Sequence, residues 1–122
     1  MILSTIFPLR SKALLRTLVR LPSFERSARG LLGEEENRWL DNTLAANPTA
    51  GVVMRGTGGV RKLRIALEGR GKSGGARVIY YYLGRKQRIF LVSVYAKNEA
   101  DNVSAAELRQ MRKLTAVLEA EP

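Results

Sequence analysis

The chain contains neither cysteine nor histidine. Without cysteine there are no disulfide staples and no thiolate metal sites, and the lack fits a reducing compartment. Without histidine, the usual general base and the commonest metal ligand are both missing, so a zinc or iron centre would need an all-carboxylate shell. The expectation is therefore no metal and no cofactor. No apolar run approaches the roughly 20 residues that a membrane-spanning helix requires. Prolines number only 4 and aromatic residues make up 7%. At 122 residues and 45% hydrophobic content, the chain has the size of one ordinary domain with a modest core.

Positive charge, by contrast, is abundant and local. Between Gly51 and Asn98 stand eleven Lys or Arg residues and a single acid, Glu68; this segment carries the entire net charge of +10, and the flanks are neutral. A pI near 10.7 calls for an anionic partner. The first twenty residues, MILSTIFPLRSKALLRTLVR, are basic and acid-free, but Arg10, Lys12 and Arg16 interrupt every candidate apolar core of a signal peptide. Residues 1–16 are read as an extension outside the domain, either disordered or the product of a start assigned too far upstream. Residues 17–122 are read as one domain.

Hydrophobic periodicity then orders the elements. Thr17 to Leu21 is a short strand candidate stopped by Pro22, and Ser23 is placed to cap a helix through FERSARGLL. Glu34 to Glu36 open a second helix through Trp39, Leu40 and Leu44 to Asn47, with Trp39 and the leucines expected in the core. After Pro48 the period falls to two. In Val60 to Leu67, Leu63, Ile65 and Leu67 alternate with Lys62, Arg64 and Ala66, giving a strand with an apolar face and a cationic one. Ala76 to Leu83 and Arg88 to Tyr95 are two further strands, joined by GRKQ. Ser104 and Glu107 form a capping box for a last helix over about 105–118. The fold class is α+β: an antiparallel sheet made of a short first strand plus a three-stranded meander, with an N-terminal helical hairpin, a C-terminal helix, and helices covering one sheet face.

Two glycine-rich stretches fail as nucleotide cradles. A P-loop ending in Gly71-Lys72-Ser73 needs glycine where Ala66 stands, and a dinucleotide fingerprint opening at Gly56 and Gly58 needs glycine where Arg61 stands. The cations recur instead on strand faces and are interleaved with Tyr80, Tyr81, Tyr82 and Tyr95. Phosphate-neutralising charge beside rings on which bases stack is the make-up of a single-stranded nucleic-acid surface. Crowded cations can supply a phosphate clamp, a base and a donor for RNA cleavage without histidine, but composition alone favours cleavage no more than simple binding.

The run GTGGVRKLRIALEGRGKSGGARVIYYYL, followed by IFLVSVYAKNEADNVS and a capped helix containing MRKL, resembles the RelE/HigB toxins of type II toxin-antitoxin systems. FERSARGLLGEEENRWLDNTLAANPTAG is similar to the amino-terminal helices of that family, and the likeness runs from about residue 17 to about 118. The resemblance implies a RelE-like small domain and a cytoplasmic, ribosome-dependent mRNA endoribonuclease (an mRNA interferase) that inhibits translation. It also implies a cognate antitoxin, expected to be a helix-turn-helix DNA-binding protein, with ribosome and mRNA as the other partners and no membrane. Carried onto this sequence, it points to Lys62, Arg64, Arg77 and Lys97 as catalytic: Arg77 as phosphate clamp, Lys62 or Arg64 in the base region, Lys97 as proton donor or second clamp. Arg61, Arg70, Lys72 and Tyr82 are the neighbouring RNA-binding candidates. The carboxy-terminal tyrosine of some members has no counterpart here, since Val103 and Ser104 stand in its place; Tyr82 or Tyr95 substitutes only if it faces the cleft. The alternatives are a ParE-like gyrase-poisoning toxin and a non-catalytic RNA- or ribosome-binding module.

Overall fold

The computed structural model describes residues 3–8, 15–67, 75–97 and 103–122. In chain order the elements are β1 (Leu3–Pro8), β2 (Leu15–Arg20), α1 (Pro22–Ala28), α2 (Glu34–Ala46), β3 (Val52–Val53), β4 (Arg61–Ile65), β5 (Ala76–Leu83), a 3-10 turn (Gly84–Lys86), β6 (Arg88–Ala96) and α3 (Ala105–Ala120). They build an α+β domain on one six-stranded sheet of order β1-β2-β6-β5-β4-β3. The meander of β4, β5 and β6 is antiparallel, as the alternation predicts. The first strand departs from expectation. β2 pairs with β6 in parallel, Leu18 opposite Ile89 and Val19 opposite Phe90, so the sheet is mixed. Parallel neighbours need a long crossover, and α1 and α2 followed by β3, β4 and β5 supply it. Leu3–Pro8, read in the sequence as part of an extension, forms a strand antiparallel to β2.

Strand side chains alternate between two cores. Leu18, Phe24, Leu40, Leu44, Val78 and Tyr80 belong to the core under α1 and α2. Val19, Val60, Ile79, Tyr81 and Phe90 form a second core, against which Met111 and Leu118 of α3 pack. Helices therefore cover both sheet faces, where the sequence reading placed them on one. β5 explains why: Val78 and Tyr80 point one way, Ile79 and Tyr81 the other, and all four are buried.

Local chemistry fixes the helix ends. Pro22 opens α1 with its fixed φ, and Ser23 is no cap: its hydroxyl donates to the Val92 carbonyl at 2.6 Å, while the Ser27 hydroxyl accepts from the Val94 amide at 3.0 Å. The β5–β6 register shifts between Ile79 and Tyr80, leaving β6 an extra residue at this point. The two serines take up backbone groups of β6 beside the bulge, which is why Ser23 serves the sheet rather than its own helix. In α2, the Gly33 amide donates to Glu36 Oε1 at 2.7 Å. In α3, Ser104 accepts from the Glu107 amide at 3.1 Å and its own amide donates to Glu107 Oε1 at 3.1 Å, the reciprocal box that the sequence predicts.

Trp39 is a second departure: it is 46% exposed. Leu40 and Leu44 occupy the inward stripe of α2, so the preceding residue is rotated to its flank and lies in a groove along β4 with Ile65 and Leu67. Tyr80 is fully buried and joins the sheet to the loop after α2: its hydroxyl accepts from the Gly51 amide at 2.8 Å and donates to the Pro48 carbonyl at 2.7 Å. A Cβ on Gly51 would stand 2.8 Å from the Tyr80 ring, so the close approach admits only glycine.

Candidate active site

Strand parity gathers the cations. Lys62 pairs with Ile79 and Arg64 with Arg77 across β4 and β5, and Arg77 pairs with Tyr95 across β5 and β6. Ile79 belongs to the second core, so Lys62, Arg64, Arg77 and Tyr95 all project from the sheet face on which α3 lies. Where α3 seals that face the side chains are buried; Lys62, Arg77 and Tyr95 are half-buried and Arg64 is exposed. Lys97 follows at the same parity beyond β6, its amide donating to the Gly75 carbonyl at 2.9 Å, which fixes the end of β6 beside the start of β5.

Cations dominate this patch among the described residues, with Glu35 and Glu36 of α2 lining the groove that Arg64 borders. Ion pairs among the described residues join Arg20 to Asp41, Arg38 to Glu35 and Arg85 to Glu119, and none includes Lys62, Arg64, Arg77 or Lys97. Among the described residues, Arg77 Nη1 donates to the carbonyl of its neighbour Ala76, at 3.2 Å. Like charges directly opposite on an antiparallel pair repel, so Arg64 facing Arg77 costs stability unless an anion lies between them. Two forked guanidinium groups with a lysine beside them match the oxygens of a phosphate. No group of three or more Asp, Glu, His or Cys suited to a metal occurs among the described residues.

The other sequence candidates fall elsewhere. Arg61 is on the opposite face, where its guanidinium donates to the Gly51 carbonyl at 2.8 Å and the Thr49 carbonyl at 3.4 Å, holding the loop between α2 and β3. Tyr82 also has the opposite parity and packs against the core under α1 and α2. Arg70 and Lys72 lie outside the described residues. Of the two tyrosines considered for the cleft, Tyr95 and not Tyr82 shares a face with Arg77; the readable signal is its spacing of two from Lys97. Arg55, passed over in the sequence as one cation among many, lines a cavity together with Lys62.

α3 is held over the second core by specific polar contacts. The Tyr81 hydroxyl donates to Glu119, and burial, reinforced by that carboxylate, pushes the phenol up to about 12. Arg85 forms a 3.5 Å ion pair with Glu119. The Thr115 hydroxyl donates to the Thr57 carbonyl at 3.0 Å. On the far side, burial raises the Asp41 carboxyl, and Arg20 at 2.6 Å only partly opposes it. No helix of the described residues is long and apolar enough to cross a membrane.

The meander, α3 and this cationic face fall within a family-level match: residues 45–121 match the family model described as the RelE toxin of the RelE / RelB toxin-antitoxin system. The matched span contains β3 to β6, α3 and all four clustered cations.

Proposed function

The chain belongs to the RelE toxin family of toxin-antitoxin systems, and from that premise we propose that it is a ribosome-dependent mRNA endoribonuclease acting in the cytoplasm. The observation that carries the reading is the convergence of Lys62, Arg64, Arg77 and Lys97, from three separate chain segments, at one end of one sheet face, with Arg64 directly opposite Arg77. Among the described residues no ion pair joins this cluster to a carboxylate, which supports reading it as an anion-binding face.

In the proposed reaction the RNA is its own nucleophile. The 2′-hydroxyl gives its proton to a base, its oxygen bonds to the adjacent phosphorus, the P–O5′ bond breaks, and the departing oxygen takes a proton; the products are a 2′,3′-cyclic phosphate and a 5′-hydroxyl end. Arginine does not release its proton in proteins, so of the pair in the base region Lys62 is the acceptor. Arg64 and Arg77 clamp the phosphate oxygens as negative charge grows on them. Lys97, at the end of β6, donates to the leaving oxygen or acts as a second clamp. The partners of this reading are the ribosome with its message and a cognate antitoxin, an acidic helix-turn-helix protein that lies over the cations and silences them.

The test is to induce the protein and map mRNA 5′ ends, with Arg77→Ala beside wild type. Cuts phased to codons that vanish in the variant, with activity down on the order of a hundredfold or more, are the expected result. Full activity of Arg77→Ala sinks the site assignment. Growth arrest with intact messages and damaged DNA sinks the nuclease reading in favour of gyrase poisoning.

A further inference from the structure

The turn between β3 and β4 is more firmly held than its position on the surface requires. The Met54 amide donates to the Val60 carbonyl at 2.7 Å, the buried Thr57 hydroxyl donates to the Met54 carbonyl at 2.6 Å, and the Val60 amide donates to that same hydroxyl at 3.0 Å. From α3, Thr115 clamps the Thr57 carbonyl. Gly58 sits at φ +80°, and a Cβ there would come within 2.5 Å of Thr115 Oγ1, so the clamp depends on glycine.

What this rigid turn presents is not core. Val52 is 72% exposed, Val53 is 50% exposed and Arg55 is exposed. With Met54 and Leu108 of α3 they wall a cavity of about 320 Å³, into which the candidate base Lys62 also opens. Exposed aliphatic side chains on an over-determined loop bury nothing in the free protein, and such loops are where binding residues reside.

We propose that this cavity is the subsite for a nucleotide flanking the scissile phosphate: its base lies against Val52, Met54 and Leu108, its phosphate contacts Arg55, and Lys62 at the cavity's edge is left to the scissile linkage. The proposal rests on the RNA-cleaving reading and adds to it where the chain of the substrate runs. An apolar wall with Arg55 at one end and Lys62, beside the scissile linkage, at the other follows the alternation of base and phosphate along a single strand. The apolar wall offers no side-chain hydrogen-bonding group, so this subsite accepts a base by shape and stacking and is tolerant of its identity. A protein strand added to the same edge would find only the two residues of β3 to pair with, too short a ladder to hold it.

The experiment titrates fluorescently labelled full-length protein with ribosomes programmed with a short message whose decoding-site codon carries 2′-O-methyl sugars, which block cleavage, over a range of salt. Arg55→Ala is expected to weaken binding about tenfold and to lower the slope of log affinity against log salt by about one, as loss of a single phosphate contact does. Replacing the flanking nucleotide by an abasic one is expected to cost wild type about tenfold and to cost Val52→Asp little, because that variant has already lost the seat. If Arg55→Ala keeps wild-type affinity and slope while Arg77→Ala loses them, the subsite is overturned and the nuclease reading stands. If neither variant differs from wild type in binding, the subsite is overturned, and the nuclease reading is decided by the mapped 5′ ends. If Arg55→Ala and Val52→Asp bind programmed ribosomes normally but no longer bind a poly-glutamate peptide that wild type binds, the face belongs to an acidic protein and the subsite is overturned.

Discussion

Arg64 and Arg77 stand directly opposite each other in neighbouring antiparallel strands, without a carboxylate paired to either among the described residues. Replacing Arg77 by methionine keeps most of the aliphatic stem and removes the charge. Opposed strand residues have Cβ atoms about 5 Å apart, and guanidinium groups that splay to about 7 Å in a water-like dielectric repel by about 0.6 kcal/mol. With Lys62 nearby, and screening discounted because Arg64 is exposed, the expected gain for Arg77→Met is about 0.5–1 kcal/mol at low salt. Urea unfolding in about 20 mM and about 1 M NaCl reads this directly, since at 1 M the screening length is about 3 Å and the gain should all but vanish. The same variant should cleave ribosome-bound message on the order of a hundredfold or more slowly. Inorganic phosphate at ten times its dissociation constant should raise wild-type stability by about 1.4 kcal/mol and that of the variant by less. A variant that is less stable than wild type, by an amount indifferent to salt, would refute the reasoning: the guanidinium would then be serving packing.

Two further expectations concern the scaffold. Tyr80→Phe strips partners from the Gly51 amide and the Pro48 carbonyl, both held by a fully buried hydroxyl, and should cost about 2–4 kcal/mol with an unchanged urea m-value; a loss under about 1 kcal/mol would mean that the loop is held by other contacts. The Tyr81 phenol is raised in the folded protein from its ordinary value of 10.0 to about 12, so its contribution is fully present below about pH 10 and is lost as pH rises through about 12. Circular dichroism should therefore show α3 loosening over that window in wild type, and a Tyr81→Phe protein with the same alkaline transition would contradict the assignment.

The sequence by itself determined the parts whose rules are local. Period-two alternation placed Lys62 and Arg64 together on one strand face, the Ser104–Glu107 box opened α3, and the order of the strands after Pro48 was legible because each is bounded by glycine or a tight turn. Parity also separated Arg61 from Lys62, a consequence that attention to charge alone passed over. The tertiary structure decided what depends on residues far apart in the chain. β2 is too short to declare its neighbour, and only the packing of β6 made it parallel. Ser23 is an ideal cap by composition, yet the carbonyl beside the β6 bulge claimed it. Trp39 is apolar and one residue from a buried leucine, but a single step around a helix turned it toward solvent. The cationic face follows the same division: composition supplied the charges, strand parity assigned them to faces, and only the register of β4, β5 and β6 set Arg64 against Arg77 with Lys97 at their end.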